Sequence, residues 1–440
     1  ISSAASDVYK RQGMGFMKLL VKNALVYLGG KIKKSDVFIE NSRIHSLGNS
    51  ILANGADRVF DFKNKCLLIP GFVDVHVHLR EPGFSYKETI KSGTAAAARA
   101  GYNVVCTMPN LNPVPDCVEN INAQLDIIKK DAVIDVLPFA SITKGRRGAG
   151  ECVDFAALKD YAVGFSDDGC GVQDESVMRQ AMKKCSELGL IISAHCEVNE
   201  LLHGGYIHDG EYCRVHGHKG ICSKSEWAQI ERDCRLAEET GCRYHVCHIS
   251  TKESVDIIRK AKARGVKVTC ETAPHYLTMC DADLQENGRF KMNPPLRSYD
   301  DMMALREGVA DGTIDVIATD HAPHSAAEKA KGLAGSAMGV VGLETAFPVL
   351  YTKLVKPGII SLEKLIDMMS VRPREIFNID GGSIEPGMPA NLCGIDLEKE
   401  WIVDPEKFIT MGKATPFEGE KLCGENILTV LRGEIVYEAL

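Results

Sequence analysis

His76 and His78 stand two residues apart in the run VDVHVHL. Side chains of an extended strand alternate between faces, so both imidazoles project the same way and can chelate one metal ion. Thirteen histidines among 440 residues give roughly 0.4 such pairs by chance. A second pair, His216 and His218, lies in a Gly-flanked stretch that reads as a solvated loop. The first pair gains meaning only from its company. Asp168 in FSDDG, His195 in AHCE, His248 in CHIS and Asp320 in ATDHAPH each close a short apolar run. Taken singly, such a histidine is usually a satisfied core residue and such an aspartate a helix cap. Together, four imidazoles and two carboxylates suit Zn²⁺, in sufficient number for two ions that share a bridging carboxylate. Two closely spaced ions deprotonate water at neutral pH, which points to hydrolysis. Cys196 and Cys247, beside two of these histidines, are the thiols that could stray into such a site.

Residues so scattered can act together only if a fold gathers them. Eight short β-rich runs begin at Val73, Asn103, Val133, Ala162, Leu190, Tyr244, Val266 and Asp315, and helical stretches such as ESVMRQAMKKCSEL and KESVDIIRKAKARG lie between them. Eight βα units predict a (β/α)8 TIM-like barrel, whose active site forms at the C-terminal ends of the strands. Asp168, His195, His248 and Asp320 end the fourth, fifth, sixth and eighth runs. An open doubly wound sheet would carry a Gly-rich phosphate turn after its first strand, and VDVHVHLREPG has none. Outside the barrel, short alternating runs with Gly, Asn and Lys turns fill both ends of the chain. They predict one small β-sandwich domain built from residues 14–66 and 382–440, with the catalytic barrel at 67–381. Residues 1–13 read as a non-native leader, with the native start at Met14 or Met17.

Composition removes several classes of function. A net charge of −7 and a pI near 6.0 leave no basic field for nucleic acid. No apolar run reaches the roughly 18 residues needed to span a bilayer. Sixteen cysteines spread without any CxxC pair read as reduced thiols in a cytoplasmic protein.

The stretch PGFVDVHVHLREPG at 70–83 resembles the signature of class I dihydroorotases in the amidohydrolase superfamily. So do TMPN at 107–110, FSDDG at 165–169, AHCE at 194–197, CHIS at 247–250, ETAPHYL at 271–277, MNPPLR at 292–297, ATDHAPH at 318–324 and GLET at 342–345. The resemblance covers essentially everything from Met17 onwards. It implies that His76 and His78 with Asp320 hold one zinc, that His195 and His248 hold the second, and that Asp168 rather than Asp167 bridges them. Many relatives bridge with a carboxylated lysine; FSDDG offers none, which matches the aspartate-bridged branch. The implied reaction is the reversible cyclisation of N-carbamoyl-L-aspartate to L-dihydroorotate in pyrimidine (UMP) biosynthesis. In the hydrolytic direction a metal-bridging hydroxide attacks the ring carbonyl, and Asp320 serves as general acid/base.

A dihydroorotate ring carries one free carboxylate. Arg80, two residues past His78 on the same strand face, can clamp it bidentately. The resemblance adds Asn110 and His324 to that carboxylate site, and places Asn293 and the backbone near Gly339 against the ring amide. Tyr276, Glu271 and His275 are expected to shape the pocket. The Gly-punctuated segment after the eighth run, within 319–340, is either a lid or a plain connection. Asn391 stands where relatives often carry Asp, in the small domain. The family further implies a homodimer or an assembly with aspartate carbamoyltransferase. The rival readings are a hydantoinase- or allantoinase-type enzyme, which acts on a ring without a carboxylate, and a non-catalytic scaffold of the transcarbamoylase.

Overall fold

The computed structural model describes residues 17–439. The expectations for the leader and for Met14 lie outside them. Eighteen strands fall into two large sheets and one small pair. The first sheet joins both ends of the chain. From the N-terminal side come β1 (Leu19–Leu28), β2 (Lys31–Glu40), β3 (Arg43–Gly48), β4 (Arg58–Asp61) and β5 (Cys66–Pro70). The C-terminal side adds β16 (Leu392–Ile402), β17 (Lys421–Leu431) and β18 (Glu434–Glu438). The order is β18-β17-β16-β5-β1-β2-β3, with β4 beside β1. Alternation explains the sheet's own core: Leu19, Val21, Ile39, Leu68, Leu392 and Leu428 pack together on one side of it. Asn391 lies at this sheet, where its side-chain oxygen accepts from the backbone N–H of Arg432 at 2.8 Å.

The second sheet is the expected barrel. Its strands are β6 (Phe72–Val77), β7 (Tyr102–Thr107), β8 (Asp135–Ala140), β9 (Gly164–Phe165), β10 (Ile191–Ala194), β13 (Arg243–Val246), β14 (Val268–Thr272) and β15 (Val316–Ile317). They run parallel in unbroken order. The ring closes where the His78 N–H donates to the His321 carbonyl at 2.8 Å, beside a parallel bridge from Val77 to His321. Intervening helices cover the outside, as short βα loops require. The helix Glu175–Glu187, for example, starts at an Asp174 cap and buries Val177, Met178, Ala181 and Met182. Below the site, Val75, Cys106, Phe139, Ile191 and Val316 form an apolar floor with Phe377. The remaining pair, β11 (Ile207–His208) and β12 (Gly220–Ile221), flanks the second His-x-His motif.

That motif is solvated as expected, with His216 and Gly217 exposed, but its first half is the end of a helix rather than a loop. His216 ends a short helix, Glu211–His216, and stacks on Tyr212 at 3.9 Å between ring centroids. The His218 ring contacts Glu286 Oε1 at 2.7 Å and the Tyr206 hydroxyl at 2.9 Å. The segment after β15 folds into two short helices, Ala326–Lys329 and Gly332–Gly335. It is anchored by Lys329, whose buried ammonium donates to the carbonyls of Lys291, Ala337 and Gly339 at 3.0, 2.8 and 2.7 Å. No helix among the described residues is long and apolar enough to cross a membrane.

Candidate active site

Six side chains from five strand ends converge on one buried cluster. His76 lies within β6 and His78 just beyond it; Asp168 follows β9, His195 follows β10, His248 follows β13 and Asp320 follows β15. The pairing of β6 with β7 slips between Asp74 and Val77. There the Asp74 carboxylate accepts from the backbone N–H groups of His76 and Thr319, so one buried acid sets the rims of the first and eighth strands together. The metal-facing atoms of His76, His78 and Asp320 all lie within 4.8 Å of one another, and so do those of His76, Asp168 and His248. His195 Nδ1 joins them, 3.0 Å from His248 Nε2 and 3.7 Å from Asp168 Oδ1. His248 and Asp320 hold left-handed backbones, with φ of 28° and 48°, which non-glycine residues adopt at a cost and which cluster at functional sites.

The donor set fits a divalent cation. His76 Nε2 and Asp168 Oδ1 are buried, 3.3 Å apart, and neither makes a hydrogen bond. His76 Nδ1 contacts Glu271 Oε1 at 2.7 Å; with its proton on that side, the lone pair of Nε2 faces the cluster. Burial would raise the Asp168 carboxyl, yet the imidazoles of His76, His248 and His78 hold it well below the usual carboxylate range. Asp320 is likewise held low against its burial, first by the contact with His78. Carboxylates kept ionised among nitrogen bases are the ligand state a metal needs. Asp167 has no such freedom, because its carboxylate accepts from the N–H groups of Ile142, Thr143 and Gly148 and from the Thr143 hydroxyl. Cys247 is near His76, but burial pushes its thiol up to about 12, so it stays protonated. Cys196 is spent on the Tyr244 hydroxyl at 3.2 Å.

A wall of different chemistry rises beside this floor. Arg80 does not follow the alternation of β6; it sits three residues past the strand with φ of 63°, and this left-handed turn buries its guanidinium. Arg80 Nε donates to the Pro323 carbonyl at 3.1 Å. The nearest carboxylates along the chain are engaged elsewhere: Asp74, within β6, is occupied as described, and Glu81 accepts from the Ile90 N–H at 2.8 Å. Among the described residues no carboxylate pairs with Arg80, and burial pulls it down to about 10. His324 Nε2 lies 3.3 Å from Arg80 Nη2. Asn110 donates to the Asp168 carbonyl at 2.9 Å and leaves its own buried carbonyl oxygen unpaired. Across the cluster, Asn293 donates to Glu197 Oε1 at 2.9 Å, whose other oxygen is 3.5 Å from His195 Nε2. Gly339 has φ of 134°, and a Cβ there would lie 2.7 Å from the Ala322 carbonyl oxygen and 3.0 Å from His324 Nε2. Only glycine lets this strand of chain approach so closely. The expected substrate residues thus connect to the ligand cluster and to one another: Asn110 to Asp168, Asn293 through Glu197 to His195, and Gly339 through His324 to Arg80.

Residues 65–254 match a family model described as "Dihydro-orotase-like". A dihydroorotase of Listeria innocua serovar 6a is 49% identical over 96% of this chain and 99% of its own length. One from Fusobacterium nucleatum subsp. nucleatum is 48% identical over 95% and 98%. The chain belongs to the dihydroorotase family. Among solved structures it is similar to an L-hydantoinase (dihydropyrimidinase) from Arthrobacter aurescens, at a TM-score of 0.84 and 25% identity, with 96% of each chain covered. A dihydropyrimidinase from Brevibacillus agri, at 0.82 and 21% over 96% and 95%, shares the fold. This dihydroorotase-family chain therefore has the frame of ring-opening amidohydrolases and full-length sequence similarity to one branch of them.

Three residues do more than sequence reasoning assigned them. Glu271, expected only to shape the pocket, orients His76, contacts His245 Nε2 at 3.0 Å and accepts from the His248 N–H at 3.3 Å. Its position at the end of β14, like the ligands on their own strands, was the available signal. Glu197 and Asp74 carried no such signal, since their roles depend on partners far along the chain. Tyr276, expected to shape the pocket, is buried and its hydroxyl donates to the Pro294 carbonyl, next to Asn293.

Proposed function

We propose that this chain is a dihydroorotase that reversibly cyclises N-carbamoyl-L-aspartate to L-dihydroorotate in pyrimidine biosynthesis. We propose further that it holds two Zn²⁺ ions, one on His76, His78 and Asp320, the other on His195 and His248, with Asp168 between them. Bound there, zinc supplies a Lewis acid for the ring carbonyl and lowers the pKa of water. In ring opening, Asp320 takes the proton of the attacking water on its carboxylate and passes it to the ring nitrogen as the C–N bond breaks. Ring closure reverses both transfers. Arg80, Asn110 and His324 bind the substrate's carboxylate, while Asn293 and the backbone at Gly339 meet the ring amide. The cytoplasm is the proposed setting. A homodimer, or an assembly with aspartate carbamoyltransferase, is the proposed state, and molecular mass by light scattering with and without the transcarbamoylase checks it.

One observation carries the substrate choice: a buried guanidinium without a carboxylate, beside a metal-competent floor. Leaving that charge unpaired is costly, and an anionic ring relieves it where an uncharged hydantoin does not. The test follows L-dihydroorotate ring opening by loss of ultraviolet absorbance, with hydantoin and allantoin in parallel, for the zinc-loaded wild type and Arg80→Ala. Turnover of dihydroorotate alone, lost with a chelator and crippled by Arg80→Ala, is the expected outcome. Bound zinc without dihydroorotate turnover, or faster opening of an uncharged ring, overturns the reading.

A further inference from the structure

No sequence motif drew attention to Lys87. Its ammonium lies 3.2 Å from His324 Nδ1 and 3.0 Å from Glu328 Oε1. Glu328 is itself fixed, since its other oxygen accepts from the N–H and hydroxyl of Ser325, both at 2.9 Å, in the capping box of Ala326–Lys329. The Lys87 ammonium also faces two aromatic rings, 5.7 Å from the centre of Phe84 and 5.6 Å from that of Tyr86. A side chain held from two sides has little freedom to leave His324.

The bonding capacity of each partner decides the state of the imidazole. An ammonium can only donate, so Nδ1 must offer its lone pair to Lys87. The Met338 carbonyl, 2.8 Å from Nε2, can only accept, so Nε2 must carry the proton. Both demands select one neutral tautomer. The remaining neighbour, Arg80 Nη2 at 3.3 Å, is also a donor and cannot bond to Nε2–H. Two donors facing one another are relieved by an acceptor placed against both, which is what a carboxylate is.

We infer that Lys87 is a positioning residue, which fixes His324 as the neutral Nε2–H tautomer so that this proton, with Arg80, faces the substrate's carboxylate. The inference rests on the carboxylate pocket proposed above. Met338 can hold the same tautomer only while Nε2–H points at its carbonyl; Lys87 holds it from the far side of the ring and keeps it when the proton turns to the substrate. The other charges around His324 are Arg80, Lys329 and Glu328. Burial and the cations of Arg80 and Lys87 push the imidazole down to about 3, so it remains a neutral donor throughout the working pH range.

Two measurements test this. In ¹⁵N-histidine-labelled zinc enzyme without substrate, with the His324 signals assigned by their loss in His324→Gln, the two-bond ¹H–¹⁵N pattern is expected to show a protonated Nε2 and a bare Nδ1. A Nδ1–H or doubly protonated ring overturns the inference whether or not the enzyme turns over. In steady-state ring opening of L-dihydroorotate, Lys87→Met is expected to raise KM about tenfold, the scale of one lost charge-assisted hydrogen bond, and to change kcat by less than about threefold. Lys87→Arg, which keeps a charged donor, is expected to return KM to within about threefold of wild type. An unchanged KM in Lys87→Met, or a fall in kcat with no rise in KM, overturns it. Failure of wild type itself to open dihydroorotate would instead overturn the parent reading, and the tautomer would still be decided by the spectra.

Discussion

The floor and the wall of the pocket are built on different principles. On the floor, the metal-facing residues lie in or within three residues of the strands that carry them, and buried carboxylates hold neighbouring groups in place, as Glu271 does for His76 and Asp74 for the rims of β6 and β15. The wall is made of loop residues held by a few contacts between segments: Arg80 in a left-handed turn, Asn110 on the Asp168 carbonyl, His324 between Lys87 and Met338. A barrel gives its strand ends little freedom, whereas loops tolerate change and carry specificity. The frame recurs in hydantoinases at about a quarter identity or less. On the proposed reading, the floor would supply ring opening as a chemistry, and the wall would select which ring is opened.

The largest expected effects come from breaking the floor. Asp320→Asn keeps the shape and an oxygen near His78 but removes the proton acceptor. Proton transfer by a placed side chain is worth about 10²–10⁴ in rate, so kcat for dihydroorotate is expected to fall at least about 10²-fold, with the fold unchanged by circular dichroism. Breaking the wall should act differently. Arg80→Ala removes the cation that the cavity leaves unpaired, a change on the scale of about 2–5 kcal/mol for a buried charge partner. Zinc content measured by plasma emission should stay at the wild-type value while kcat/KM for dihydroorotate drops about 10²-fold. A loss of zinc in Arg80→Ala would show that wall and floor are one structure and sink the distinction.

A smaller change sharpens the same contrast from below. Glu271→Gln keeps an oxygen near His76 Nδ1 but loses the charge that fixes the imidazole's orientation. Metal-orienting partners of this kind are typically worth about 10- to 100-fold in metal affinity. Competition with a zinc-sensitive dye is expected to show that loss, and activity is expected to return at high zinc. Unchanged affinity would mean that His76 is held by packing alone.

The difference between the two regions also governs what could be seen in the sequence. The barrel was legible because each strand is an apolar run ended by a polar residue, and even β9 and β15, two residues each in the structure, stand out by that ending. Floor residues inherit their positions from the strands, so spacing along the chain was enough to group them. Arg80 was expected on the strand face by alternation, but β6 ends at Val77 and a backbone turn delivers the side chain instead; positive φ at a non-glycine residue leaves no mark in the sequence. Lys87 and Glu271 meet His324 and His76 across 237 and 195 residues. Such pairs are decided by the closing of the barrel, not by anything local. The stretch at His216 and His218 is solvated as expected, but the helix end at His216 was hidden for a similar reason: it is supported by stacking on Tyr212, and His218 beyond it meets Glu286, contacts that the flanking glycines do not announce.

The mildest prediction concerns protons that the folded chain refuses. His324, His275 and His208 are all buried; burial is the largest cause in each and pushes them down to about 3, about 4 and about 4. In the unfolded chain each takes a proton near the ordinary imidazole value of 6.5. Above that pH neither state binds the proton, and folding is indifferent to it. Between about 6.5 and the folded values the unfolded chain binds more protons, so stability falls as pH falls, by at most about 1.4 kcal/mol per pH unit for each histidine. Urea midpoints of the zinc-loaded protein at pH 8, 7, 6 and 5 are expected to be level from 8 to 7 and to drop from 6 to 5. His208 separates this from metal loss, because it lies away from the floor beside Arg297, 3.5 Å from its ring. His208→Gln should flatten part of the drop while zinc content at each pH stays that of wild type. If the slope is unchanged in His208→Gln, the burial of His208 adds nothing to the acid sensitivity, and the prediction fails for this histidine.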